Sequence, residues 1–170
     1  MYRHFNLWLE ELPHRHKIVI PGNNDYLLED PKERKVITNA TLLIDSGIEI
    51  EGLRIWGSPF TPSYGGAFGK SWPEDRQRLW ASIPESLDIL VTQGPPFAIL
   101  DHGLPSKPRE GCPYLFEAVF RARPRLHVFG HIHAGYGTLR TSDTVFVNAS
   151  LLGDSGSLDR EPIVIDLESR

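Results

Sequence analysis

The chain has 170 residues, 40% of them apolar and 24% charged, with a formal net charge of −4. That length and balance suit one globular domain over residues 1–170 and exclude a disordered or fibrous chain. The acidic excess offers no general attraction to nucleic acid or anionic lipid, and a single cysteine, Cys112, excludes an internal disulfide framework.

No apolar run approaches the ~20 residues that span a bilayer, and the start of the chain lacks a signal-peptide layout. A soluble cytoplasmic protein is expected. Phe5, Leu7, Trp8, Leu9 and Leu12 mark a broad helical face over residues 4–12, stopped by Pro13. Residues 17–20 form a β-branched run bounded by Pro21-Gly22, which reads as a buried strand. Strand-like pieces follow at 36–44, 47–51 and 53–57, joined by tight turns into an expected antiparallel meander. Residues 58–72 are aperiodic and read as a long loop. A helix is predicted over 73–83, with Pro73 in its first turn and Glu74 and Asp75 near its positive end.

Residues 88–92 read as a buried strand that runs into Gln93-Gly94-Pro95-Pro96, where a ladder cannot continue. The next helix, over 114–123, is expected to turn Leu115, Phe116, Val119 and Phe120 inward. A strand over 125–129 leads to Gly130-His131-Ile132-His133, and closing strands are predicted at 144–148 and 162–167. Hairpins mixed with helical crossovers give a layered α/β fold, with a mixed sheet or two stacked sheets.

Three predicted strands end in polar loops: Gly22-Asn23-Asn24-Asp25, Gln93-Gly94-Pro95-Pro96 and Gly130-His131-Ile132-His133. Ligands of layered α/β folds sit beyond the carboxyl ends of strands, so these loops are candidates for one shared site. In an extended segment His131 and His133 point the same way and suit a metal; the alternative is two half-exposed histidines in a turn. His14 and His16 share that spacing, but Arg15 and Lys17 oppose a cation and a solvated strand entry is the better reading. His127 reads as a hydrogen-bonded core histidine, His102 as a loop residue without a partner, and Cys112 as structural. Asn23-Asn24-Asp25 alone suits an ordinary Asx turn, and Asn148 a strand-end cap.

Taken in order, these motifs, with Gly57-Ser58-Pro59-Phe60 and Phe146-Val147-Asn148-Ala149-Ser150, resemble the calcineurin-like metallophosphoesterases. The nearest likeness is the metallophosphoesterase-domain branch, which includes cyclic-nucleotide phosphodiesterases. The resemblance implies a β-sandwich flanked by helices and a site for divalent metal (Mn, Fe, Ni or Zn). It implies Asn23 and His131 as ligands of one metal, His133 of the other, and Gln93 at a metal-ligand position. It places Asn24 and Asp25 in the catalytic motif, with Asp25 orienting the residue before it. Asn148 and Gly130 fall at substrate-binding positions.

The chain also departs from that pattern. The family's Asp-x-His and Gly-Asp motifs have no counterpart before Asp25, so the N-terminal strand or strands are expected to be missing. Asn24 and Gln93 stand where the family has histidines. The remaining ligands are neutral, and no carboxylate is left to hold two cations against their repulsion. Hydrolysis of a phosphoester or cyclic nucleotide is therefore expected to be weak or lost. The alternatives are a silent pseudo-phosphoesterase that binds a ligand or protein, and a fragment of a longer active enzyme. An uncovered sheet edge predicts a homo-oligomer or partner chain, with no role for nucleic acid or membrane. The loop aromatics Phe60, Tyr64, Phe68 and Trp72 suit either base stacking or packing of the loop onto its sheet.

Overall fold

A computed structural model describes residues 1–62, 66–103, 109–153 and 155–167. The chain begins with helix α1 (Tyr2–Glu11) and strand β1 (Ile18–Val19). Short 3-10 turns at Tyr26–Glu29 and Glu33–Val36 precede β2 (Thr41–Leu42). Then come β3 (Ser46–Ile50), β4 (Leu53–Ser58), β5 (Thr61–Pro62), β6 (Gly69–Lys70) and α2 (Pro73–Ala81). The remainder is β7 (Ile89–Thr92), α3 (Pro113–Ala122), β8 (Leu126–Phe129), β9 (Gly137–Arg140) and β10 (Val145–Asn148).

A six-stranded sheet runs in the order β3-β4-β7-β8-β10-β9. Strands β4, β7, β8 and β10 are parallel, and antiparallel β3 and β9 close the two edges. The four parallel strands therefore present all their carboxyl ends on one side. Leu90, His127 and Phe146 lie side by side across the central strands. Leu90 and Phe146 are buried with Phe129 against Trp80 of α2 and Leu115 and Val119 of α3. The opposite face carries a small parallel sheet, β1 with β2. A Cβ on Gly57 of β4 would lie 2.5 Å from Leu43 and 2.8 Å from Ile20, so the two sheets meet at a position only glycine fits. Helices, large sheet and small sheet are thus stacked layers, as the layered reading requires.

The antiparallel meander holds for β3 and β4 alone. The piece read as a strand over 36–44 shortens to two residues that pair parallel with β1, because the 3-10 turn at Glu33–Val36 carries the chain across to the small sheet. Within the segment read as loop, β5 pairs parallel with β6. The hydrophobic run at 162–167 forms no strand; Val164 is 83% exposed. Strand β9 was not expected, since only β10 gives it a partner and its own residues are mostly exposed. Phe120 is 52% exposed and leans on Phe116 with ring centroids 4.5 Å apart, because the inward face of α3 is made by Leu115, Ala118, Val119 and Ala122. In α1 only Leu9 is buried, and Leu7 and Trp8 are more than half exposed. No helix among the described residues is long and apolar enough to cross a membrane.

Candidate functional site

The loops leaving β1, β7, β8 and β10 converge on a cleft of about 460 Å³. Its lining includes Asn23, Asn24 and Asp25 from the first loop, Gln93 from the second, and Gly130, His131 and His133 from the third. Seven of the eight residues singled out from sequence share this one surface. Ser150, Leu151 and Leu152 after β10 also line it; Ser150 ends the motif 146–150, while nothing in the local sequence signalled the two leucines.

Each loop is held by backbone contacts. Asn23 lends its carbonyl to the Ala67 N–H at 2.8 Å, and a Cβ on Gly66 would sit 2.4 Å from that same oxygen. The Gly130 N–H donates to the Gln93 carbonyl at 3.1 Å, joining the second and third loops. His131 has a φ of +69°, and the Ile132 N–H reaches back to the Gly130 carbonyl at 2.8 Å. That is a γ-turn centred on His131, a conformation a β-carbon makes costly and which persists only when its surroundings enforce it. The extended geometry expected for Gly130–His133 is therefore replaced by a γ-turn and a 3-10 turn at His133–Gly135. The two imidazoles still face one cleft, by folding rather than by strand alternation.

One hydrogen-bond cluster occupies the middle of the lining. The Gln93 side-chain nitrogen, Nε2, donates to Asn23 Oδ1 at 2.9 Å and to His131 Nδ1 at 3.1 Å. An amide nitrogen only donates, so Nδ1 of His131 carries the lone pair. Gln93 Oε1 is buried without a partner among the described residues. Burial lowers the His131 pKa from its ordinary value; Glu110 opposes that shift and His133 adds to it. His133 Nδ1 donates to the Gly153 carbonyl at 3.3 Å. Arg160 donates to the carbonyls of His133 and Ser150, the latter at 3.2 Å, and lies over the Tyr136 ring 5.1 Å away. This strap from the C-terminal segment has no motif of its own.

Asp25 orients its own loop: Oδ2 accepts from the Gly22 N–H at 2.7 Å and Oδ1 from the Tyr2 hydroxyl at 3.1 Å. Tyr2, from α1, was not expected here; burial first, then the charge of Asp25, pushes its hydroxyl up to about 12. Asn24 is exposed at the rim.

Asn148, at a substrate-binding position by the resemblance, is not among the lining residues. It is fully buried, donates to the carbonyls of Leu100 and Ile132 at 3.1 and 2.8 Å, and accepts from the Ser150 hydroxyl at 2.8 Å. All its polar capacity is committed, so it positions the histidine loop and lies behind the cleft lining. Other candidates lie outside the cleft. His16 contacts Glu51 at the surface, and Cys112 is buried at the start of α3. Phe68 is buried edge-on against Phe60, which favours packing over base stacking, while Trp72 is 71% exposed beyond the lining. Tyr64 lies outside the described residues.

With that geometry in hand, sequence comparison decides the family. Metallophosphoesterase domain-containing protein 1 of Homo sapiens and of Mus musculus are each 39% identical to the chain over 191 residues, which cover 96% of it. The chain belongs to a metallophosphoesterase-like family. A UPF0046 protein of Caenorhabditis elegans is 31% identical over 176 residues, 94% of this chain and 60% of its own length. No family model matches. A solved crystal structure superposes with a TM-score of 0.64 at 17% identity, over 88% of this chain and 62% of the other. That likeness shows the fold, consistent with the calcineurin-like architecture. The chain spans 58% of the length of the human and mouse relatives.

A metallophosphoesterase family implies a divalent metal, and this lining does not fit one. Its polar side chains are two imidazoles, neutral amides and the Ser150 hydroxyl, while the one lining carboxylate, Asp25, has a hydrogen bond on each oxygen from Gly22 and Tyr2. Among the described residues, no group of three or more His, Cys, Asp and Glu side chains is disposed to hold an ion. Neutral amides are weak ligands for metals that imidazole binds well.

Proposed function

We propose that this chain is a binding module on a metallophosphoesterase-like scaffold, taking a small phosphoester or nucleotide without hydrolysing it. The observation that carries this reading is the commitment of Asp25 to its own loop and to Tyr2. Two divalent cations a few ångströms apart repel strongly, and a bridging carboxylate is what normally offsets that repulsion. No lining group supplies one. Asn24 at the rim donates a hydrogen bond to a phosphate oxygen but cannot pass on a proton, so general acid catalysis is absent there.

The test is turnover of bis-p-nitrophenyl phosphate and 2′,3′-cyclic AMP with added Mn²⁺, Ni²⁺ or Zn²⁺, alongside calorimetry with 2′,3′-cyclic AMP. Binding without turnover is the expected result. Metal-dependent turnover by the unmodified chain overturns the proposal.

A second reading, part of a longer hydrolase, is favoured by the 58% share of the mammalian relatives' length. The adjoining genomic sequence tests it: in-frame Asp-x-His and Gly-Asp motifs would support it. We further propose that a second chain covers the backbone edge of the β1–β2 sheet, which pairs with no other described strand. A monomer in sedimentation equilibrium overturns that assignment.

A further inference from the structure

The geometry points to Gln93 as a built-in stand-in for a cation: its side-chain nitrogen holds the point where Asn23 and His131 aim their lone pairs. The inference rests on the binding-module reading of the same cleft. Two acceptors from separate loops, Asn23 Oδ1 and His131 Nδ1, converge on one atom at 2.9 and 3.1 Å. Convergence of lone pairs on one point is the arrangement that binds a positive charge. Here the point is filled by an NH₂ group whose two hydrogens satisfy both acceptors. An amide nitrogen has no lone pair to offer a metal, so an arriving cation must displace it and break both hydrogen bonds.

Both acceptors stand on backbone that is held in place: that of Asn23 by Ala67 and by the close approach of Gly66, and that of His131 by its γ-turn. With those two acceptors aimed at it, the third side chain decides whether the point is a hydrogen-bond donor or a set of electron pairs. Replacing the NH₂ of Gln93 by oxygen, at unchanged length, converts one donor into a third acceptor bearing a negative charge. Three convergent acceptors of that kind, one of them imidazole, suit a borderline divalent cation such as Zn²⁺ or Mn²⁺.

The experiment titrates Zn²⁺ alone into the full chain, by calorimetry and by metal analysis after dialysis. It compares the unmodified chain with Gln93→Glu and Gln93→His, each checked for folding by circular dichroism. The expected result is at least ~100-fold tighter Zn²⁺ binding in the Glu variant, and a comparable gain in the His variant. His131→Ala added to either variant should remove the gain. If the Glu variant does not fold, the His variant carries the test. Folded variants that bind Zn²⁺ no better than the unmodified chain overturn the inference and leave the binding-module reading standing. Tight, His131-dependent Zn²⁺ binding by the unmodified chain overturns it also. Metal-dependent turnover by the unmodified chain instead overturns the underlying reading.

Discussion

Two side-chain rungs join strands β7 and β8 and the loops that leave them, Thr92 to His127 and Gln93 to His131, and they do opposite work. In the first, Thr92 donates its hydroxyl to the Gly94 carbonyl at 2.8 Å, so His127 Nε2 must donate back to Thr92, also at 2.8 Å. His127 is fully buried, with Phe129 and Phe146 edge-on to its ring. Burial alone pushes its pKa down to about 3, which keeps the ring neutral. One residue further along the first chain segment and four along the second, a polar side chain paired with an imidazole opens onto a cleft. An imidazole in such a rung becomes packing or site according to whether protein or solvent covers the ring. A histidine on a strand is then a core element, and a histidine just past its carboxyl end is a ligand-facing one.

Removing the two rings should break this comparison most sharply. His127→Ala leaves a cavity beneath Phe146 and strips Thr92 of its donor, at a cost of about 3 kcal/mol. His131→Ala, which also relieves no core packing, should cost less than about 1 kcal/mol. Urea denaturation of both variants reads the difference, and equal losses would erase the distinction.

Acid sharpens it next. The pKa of His127 is lower folded than unfolded, so its neutral form stabilises fully above 6.5, its ordinary value, and that contribution is lost as pH falls toward about 3. Stability should fall by roughly 1.4 kcal/mol per pH unit through this window from His127 alone. A His127→Gln variant should show a correspondingly flatter acid limb in the same denaturation series.

Smaller effects belong to the helices α1 and α3. Tyr2→Phe removes the hydroxyl donor to Asp25 and should cost about 1 kcal/mol, read from the urea midpoint. Phe120→Ser should stay within about 0.5 kcal/mol, since the ring is mostly exposed. A larger loss would restore the inward assignment that the helical period suggested.

Local sequence carried much of this molecule. The apolar runs ending in Pro21-Gly22, Gln93-Gly94-Pro95-Pro96 and Gly130-His131 announced three strands and the loops beyond them. Seven of the eight candidate residues line one cleft because parallel strands deliver their carboxyl ends to the same side. The period of α3 also placed Leu115 and Val119 inward correctly. Edge strand β9 was invisible because mostly exposed residues leave no pattern until a partner strand is in register. Two-residue strands such as β1 and β2 are likewise too short for a period, so their parallel pairing escaped a reading built on turns.

Residue order alone thus announced most of the longer elements and the three polar loops that meet at the cleft. Tertiary structure decided the rest. Asn148 became a structural staple because two carbonyls from other loops reach it, and Tyr2 joined Asp25 because α1 packs beside the first loop. Most consequentially, the distance between Gln93, Asn23 and His131 is set by three separate strands, so only the folded chain shows an amide standing at their meeting point. Hydrogen bonds act over about 3 Å, and no spacing along the chain reports such proximity across 70 or 38 residues.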